Sequence, residues 1–304
     1  MLSICIPVFN EDVTSLVREL HEQAIRLGTN SEILVFDDAS DEGFRKKNRE
    51  LRQLPGVSYR ELERNIGRSR IRNLMAREAA FPYLIFMDCD SELSDPGYLD
   101  RYLRLLPCRQ LVYGGRRYPD APPRSTDRLH WVFGMNREQR SAGSRERTPY
   151  QSFMSNNFMV PREVLLQIPF NELLSGYGHE DTLLGFEMKK HGIPIRHIDN
   201  PLLHTGLETP GEFLKKTRQG IANLVLISRM LNGDKDFTAS VSLLKTCELL
   251  RRMGLRKLFH RVFGHLRRPI ERQLTGPSPR LWLLDLYKLG SICAYSRKKT
   301  NAAQ

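Results

Sequence analysis

Two places in this 304-residue chain set carboxylates where they can do chemistry. The first is Asp88-Cys89-Asp90, which follows the apolar run Tyr83-Leu-Ile-Phe-Met87. That run predicts a strand, and alternate side chains of a strand project to the same side. Asp88 and Asp90 are therefore expected to converge on one point just past the strand end. Two hard oxygen ligands there suit Mg²⁺ or Mn²⁺ held together with substrate phosphates. An isolated Asp-x-Asp is more often a solvated turn, so the setting has to decide. The second place is Glu180-Asp181, at the head of a predicted helix behind Gly176-Tyr-Gly178-His. Two glycines let the backbone approach a ligand closely, although acids also favour a helix N-terminus on simple electrostatic grounds.

The elements that must position these acids read as an α/β alternation. Ser3-Ile-Cys-Ile-Pro-Val-Phe9 predicts a buried strand, and Val13, Leu16, Val17, Leu20, Ala24 and Leu27 then recur at helical spacing until Gly28. Glu32-Ile-Leu-Val-Phe36 predicts a second strand, so the first 37 residues form a βαβ unit with a parallel pair. A charged helix over 41–54, a strand near 57–60 and a helix ending at Ala80 lead into Tyr83. Further strands are expected at 111–115, 156–160 and, last, 193–198, with His204 just beyond. The expected fold is α/β, a doubly wound, mostly parallel sheet flanked by helices over 1–210, followed by a helical, basic amphipathic extension over 211–304. Such sheets bind ligands beyond the carboxyl ends of their strands. Three predicted strands end there in polar or acidic groups, at Phe9-Asn10, Asp37-Asp38 and Asp88-Asp90. Residues 116–150, rich in Arg, Pro and Ser around the apolar knot Leu129-His-Trp-Val-Phe133, make an excursion long enough to be functional.

Composition narrows the class. Five scattered cysteines with no C-x-x-C pair argue against a disulfide framework or a zinc knuckle and for a reducing compartment. Met1-Leu-Ser-Ile enters a strand at once, so no signal peptide is expected, and no apolar window is long enough to span a bilayer. The net charge of +12 is uneven: residues 241–304 hold 14 Lys+Arg against 3 Asp+Glu, and the rest hold 33 against 32. Leu249 to Arg268 is basic and amphipathic, a pattern suited to an anionic membrane surface, with a solvated face or a partner-binding helix as the plain alternatives. No recognised module accompanies the charge, so nucleic acid is not expected as a partner.

The opening Ser-Ile-Cys-Ile-Pro-Val-Phe-Asn, Asp37-Asp38-Ala-Ser, Asn65-x-Gly67-x-Ser-x-x-Arg72-Asn73, Asp88-x-Asp90 and Gly178-His-Glu180-Asp181 resemble, in order and spacing, a family-2 glycosyltransferase over residues 1–210. The resemblance implies the nucleotide-diphospho-sugar transferase domain known as GT-A and an inverting, metal-dependent transfer of a hexosyl type. It implies a nucleotide-diphospho-sugar donor and a glycan or lipid-linked acceptor. Pro7 and Phe9 would border the nucleotide base, Asp38 would meet the base edge, and Arg72 would approach base or phosphates. Asp88 and Asp90 would hold the divalent ion, with His204 as a third ligand in some relatives. Cys89 stands where many members carry Ala, and its side chain is expected to point into packing. Asp181 would be the general base and Glu180 would bind the acceptor. Trp131 and Tyr177 are placed in packing, with stacking on sugar rings as the alternative. The expected location is cytoplasmic, docked on the inner face of a membrane. A nucleotidyltransferase or a dinucleotide oxidoreductase would want a Gly-rich loop after the first strand, and Pro7-Val-Phe-Asn-Glu11 has none. A non-catalytic membrane-surface scaffold would not need Asp88, Asp90 and Asp181 intact.

Overall fold

The computed structural model describes residues 1–123 and 128–295; the last part of the basic tail, Arg297 to Lys299 included, lies outside the described residues. Its strands are β1 (Leu2–Val8), β2 (Ser31–Asp37), β3 (Val57–Glu61), β4 (Tyr83–Met87), β5 (Ser91–Leu93), β6 (Leu111–Tyr113), β7 (Arg116–Arg117), β8 (Asn157–Pro161), β9 (Ile195–His197) and β10 (Leu202–His204). Its helices are α1 (Thr14–Arg26), α2 (Glu42–Asn48), α3 (Arg68–Glu78), α4 (Tyr98–Leu103), α5 (Arg128–Phe133), α6 (Ala142–Arg145), α7 (Arg162–Gln167), α8 (Glu180–Lys190), α9 (Pro210–Met230), α10 (Lys235–Ser240), α11 (Ser242–Arg252), α12 (Arg256–Leu274) and α13 (Leu281–Tyr295).

Seven strands form one sheet in the order β3-β2-β1-β4-β8-β6-β9. β1 pairs in parallel with both β2 and β4, so the chain winds outward to β3 and then returns to the other side of β1. The gap between the ends of β1 and β4 is the switch point where such sheets take ligands. β1 is apolar on both faces because both faces are covered. Leu2, Ile4, Ile6 and Val8 join Leu16, Leu20 and Ala24 of α1 on one side. Cys5 joins Ile71 and Met75 of α3, Leu165 of α7 and Leu184 and Met188 of α8 on the other.

β8 runs antiparallel to β4 and to β6, which places an antiparallel step in the middle of an otherwise parallel sheet. Strand spacing alone carries no direction, so this was not visible in the sequence. A second, three-stranded sheet has the order β5-β10-β7. Its strands are two or three residues long, too short for any periodicity, and the sequence reading left them out. One consequence is a correction: His204 does not follow the last strand in a loop. It closes β10, opposite Ser91, and so arrives beside Asp90.

Below the switch point sits a buried polar hub. The Asn157 side chain accepts hydrogen bonds from the hydroxyls of Tyr98 and Tyr102, each at 2.8 Å, and donates to the carbonyls of Gly115 and Asn200, each at 2.8 Å. Gly114 must lack a side chain there, since a Cβ would fall 2.5 Å from the Tyr102 hydroxyl and 2.6 Å from Asn157 Nδ2.

The chain divides into two units, 1–119 with 138–173 and 180–206, and 120–137 with 174–179 and 207–304. The sequence reading drew one cut at 210; here two excursions of the first part belong with the C-terminal helices. In the second unit, Leu129 packs with Leu214, Phe263, Ile270, Leu274, Leu284 and Tyr287, and the 174–179 loop is held by Asn223 of α9, which donates to the carbonyls of Ser175, Tyr177 and Gly178.

The hub predicts a large stability effect. Asn157→Ala removes four side-chain bonds, leaving Tyr102 only the residue-157 carbonyl at 3.2 Å and Gly115 only the Leu202 N–H at 3.4 Å, and should cost about 3 kcal/mol in urea unfolding at unchanged slope. A loss below about 1 kcal/mol would show that the four bonds are dispensable.

Candidate active site

The first wall of the switch point is built by the ends of β1 and β2. Phe9 follows β1 with half its surface exposed, and Asn10 takes a left-handed backbone, φ 53°. The Asn10 side chain accepts from the N–H of Asp41, which ties the end of β1 to the start of α2. Asp38 was expected to meet a ligand edge. Its two oxygens accept from the backbone N–H groups of Ile66 at 2.6 Å and Gly67 at 2.9 Å. That pins the turn into α3, where Gly67 holds φ 85°, open to glycine and strained for others. Burial, partly offset by these two donors, raises the Asp38 carboxyl above its ordinary value.

At the end of β4 the two aspartates take different partners. Asp88 Oδ1 accepts from Arg72 at 2.7 Å and Oδ2 from Arg116 at 3.2 Å. Arg72, on α3, is only 2% exposed. Arg116, on β7, also reaches Glu138 at 3.5 Å, and Glu138 accepts from the Tyr118 hydroxyl. Asp90 turns the other way. Its Oδ1 lies 3.4 Å from Nδ1 of His204, is buried, and receives no well-formed hydrogen bond among the described residues. Burial opposes ionisation of Asp90, but His204 and the arginines 116 and 68 more than offset it and hold the group well below the usual carboxylate range. Glu11 is pushed up, first by burial and then by Asp90, so a third acid feels this corner. Gly206 makes room for the Asp90 carboxylate; a Cβ would come within 2.6 Å of Oδ2. Cys89 packs with the core and its thiol is raised by burial, as its alternation with the aspartates required.

The head of α8 completes the site. Glu180 is buried, accepts from Arg68 at 2.7 Å and lies 4.0 Å from Arg72. Burial opposes its charge, and the two arginines win, so its carboxyl is lowered. Glu180, the residue expected to bind the acceptor, is paired with cations, as a buried carboxylate has to be. Asp181 keeps part of its surface open and accepts from the N–H and hydroxyl of its neighbour Thr182. Burial first, then the charge of Glu180, raises its carboxyl to about 7. Gly178 before α8 also serves packing: a Cβ there would lie 3.1 Å from Cα of Gly220 in α9. Tyr177 lies under the Lys216 ammonium, 5.0 Å from its ring centre.

The structure therefore gathers Arg72, Asp88, Asp90, Glu180, Asp181 and His204 in one unit, and adds Arg68, Arg116 and Glu138, which the sequence reading did not single out. No group of three or more metal-type ligands occurs among the described residues. Asp90 and His204 nonetheless fit a divalent ion that also takes phosphate oxygens and water: one buried carboxylate oxygen awaits a partner, and an imidazole stands beside it. Asp88 fits less well, since each of its oxygens already holds a guanidinium.

Residues 3–168 match the family described as glycosyl transferase family 2. No curated protein sequence matches the chain. Among solved structures, a mannosyltransferase, PcManGT, from Pyrobaculum calidifontis in complex with GDP-Man and Mn²⁺ superposes with a TM-score of 0.55 at 12% identity, over 98% of this chain and 88% of that one. S. aureus TarS 1-349 in complex with UDP-GlcNAc gives 0.51 at 17%, over 99% and 93%. Glucosyl-3-phosphoglycerate synthase from Mycobacterium tuberculosis, with Mn²⁺, UDP and glucosyl-3-phosphoglycerate, gives 0.50 at 19%, over 74% and 78%. These likenesses show the GT-A fold.

The ion-pair network yields a test. Arg72→Met leaves Asp88 and Glu180 short of a buried cation and should destabilise the protein by about 3–5 kcal/mol. Arg68 is about a third exposed and its loss leaves Glu180 with Arg72 at 4.0 Å, so Arg68→Met should cost less than Arg72→Met, which also strips Asp88. Comparing the two urea midpoints checks the ranking, and equal losses would contradict it.

Proposed function

The chain belongs to glycosyl transferase family 2, and on that premise we propose an inverting, divalent-metal-dependent transfer of a sugar from a nucleotide-diphospho-sugar to a glycan or lipid-linked acceptor. The observation that carries this reading is the contrast between neighbouring acids at the head of α8: Glu180 is neutralised by arginines, whereas Asp181 is partly open and raised to about 7.

An inverting transfer needs a carboxylate to take the acceptor hydroxyl's proton as that oxygen attacks the anomeric carbon, and it works best with a pKa near the working pH. Asp181 has that property. Glu180 acts through it: its negative charge lifts Asp181, and its pairing with Arg68 fixes the start of α8. Asp90 and His204 would hold Mg²⁺ or Mn²⁺. When bound, the ion neutralises charge developing on the departing diphosphate. Asp88 keeps Arg72 and Arg116 facing the switch point, where guanidinium groups suit phosphate oxygens. Phe9, exposed at the end of β1, and Pro7 beside it offer an apolar edge for the base.

Two measurements test the assignment. Asp181→Asn is nearly isosteric, so donor binding should survive while turnover falls about 10²–10⁴-fold; near wild-type turnover would place the base elsewhere. A nucleoside diphosphate should raise the melting temperature more with Mn²⁺ than with a chelator, and Asp90→Asn should remove that increment. Equal stabilisation with and without the ion would contradict the metal role of Asp90 and His204.

A further inference from the structure

α12 has two apolar lines, and the fold uses only one. At about 100° per residue, Phe263, Ile270 and Leu274 fall within a narrow arc, and all three are buried. They pack in the second unit with Leu284 and Tyr287 of α13, and Gly290 there leaves space that a Cβ would take from the Phe263 ring. Leu258, Val262 and Leu266 recur every four residues about a quarter turn away, with 56, 46 and 48% of their surface exposed. Leu249, Met253 and Leu255 are exposed as well, at 55, 58 and 40%. Lys257, Arg261, Arg268 and Arg272 are exposed on the side of α12 away from the core. The acid of α12, Glu271, is engaged by Arg267 at 3.0 Å and by the Tyr287 hydroxyl at 3.0 Å.

We propose that the α11–α12 surface docks on an anionic lipid bilayer, with Leu258, Val262 and Leu266 in the acyl boundary and Lys257, Arg261 and Arg268 among the headgroups. A helix lying in that interface needs an apolar stripe bordered by cations, whose long stems bury beside it while their charges stay with phosphate. Leucine and valine are poor anchors for a protein partner, where aromatic residues dominate. Nucleic acid would use the charge and leave the stripe in water. The proposal rests on exposed side chains and not on the transfer reading, so its test needs no activity.

The test is flotation of the full-length chain with vesicles of phosphatidylcholine alone or mixed with phosphatidylglycerol. Binding is expected to the mixed vesicles and to weaken as salt rises. In the triple variant Lys257→Glu, Arg261→Glu and Arg268→Glu, each lost charge should weaken binding about fivefold. Leu258→Gln, Val262→Gln and Leu266→Gln together should weaken it at least about tenfold. All six side chains are exposed, so the circular dichroism spectrum should not change. Binding that ignores lipid charge, or that survives both sets of substitutions, would overturn the proposal. So would self-association of the wild-type chain, without vesicle binding, that the Leu and Val substitutions abolish; that result would assign the stripe to a second copy.

Discussion

The guanidinium of Arg72 joins pieces of chain that sequence keeps far apart. α3 carries it, Asp88 follows β4, and Glu180 begins α8. Packing of Ile71 and Met75 into the core seats α3 against the sheet, and Arg72 goes into the interior with them. A buried charge costs several kcal/mol unless it is paired, so the ends of β4 and α8 must supply acids. Arg68 stands one turn earlier on the same face and takes the other demand of Glu180. Arg116 closes the set from β7. Two acids are thereby fully committed, and Asp90 and Asp181 are left as the ones whose environments differ from their neighbours'. Pairing of the structural charges is what makes the remaining two chemically distinct.

Much of this was legible in the chain. β4 runs over the residues its apolar run predicted, Tyr83 to Met87, and the βαβ opening has the expected parallel register. Strong hydrophobic periodicity and long elements explain those successes. The failures share a cause as well. β5, β7 and β10 have three residues or fewer and carry no pattern, yet they bring His204 to Asp90 and Arg116 to Asp88. The antiparallel direction of β8 is set by packing. The donors that Asp38 and Glu180 meet within the fold, the N–H groups of Ile66 and Gly67 and the Arg68 guanidinium, are set by tertiary placement and could not be read from residue type. Arg116 and Glu138 looked like charges in a polar excursion, and only tertiary placement shows them partly buried together.

The charge distribution follows the same division. The first 240 residues balance almost to zero because arginines there are partners for acids, as Arg68, Arg72 and Arg116 are. The excess lies in the C-terminal 64 residues, where the described helices also expose leucines. No helix among the described residues is long and apolar enough to cross a membrane. The same residue type thus has two uses in one chain: neutralising a site in the first unit and presenting a field to the surroundings in the second.

As proposed above, Asp181 is a base whose proton affinity burial raises first, Glu180 raises further and the arginines around it lower. The most direct test is the pH dependence of single-turnover transfer in the wild-type enzyme and in Arg68→Met. A general base acts only when ionised, so the rate should climb with pH through a midpoint of about 7 in the wild type. Arg68 favours the ionised carboxylate, so its removal should move the rising limb to higher pH. A rate that is flat through this range, or a limb that stays in place in Arg68→Met, would contradict the claim.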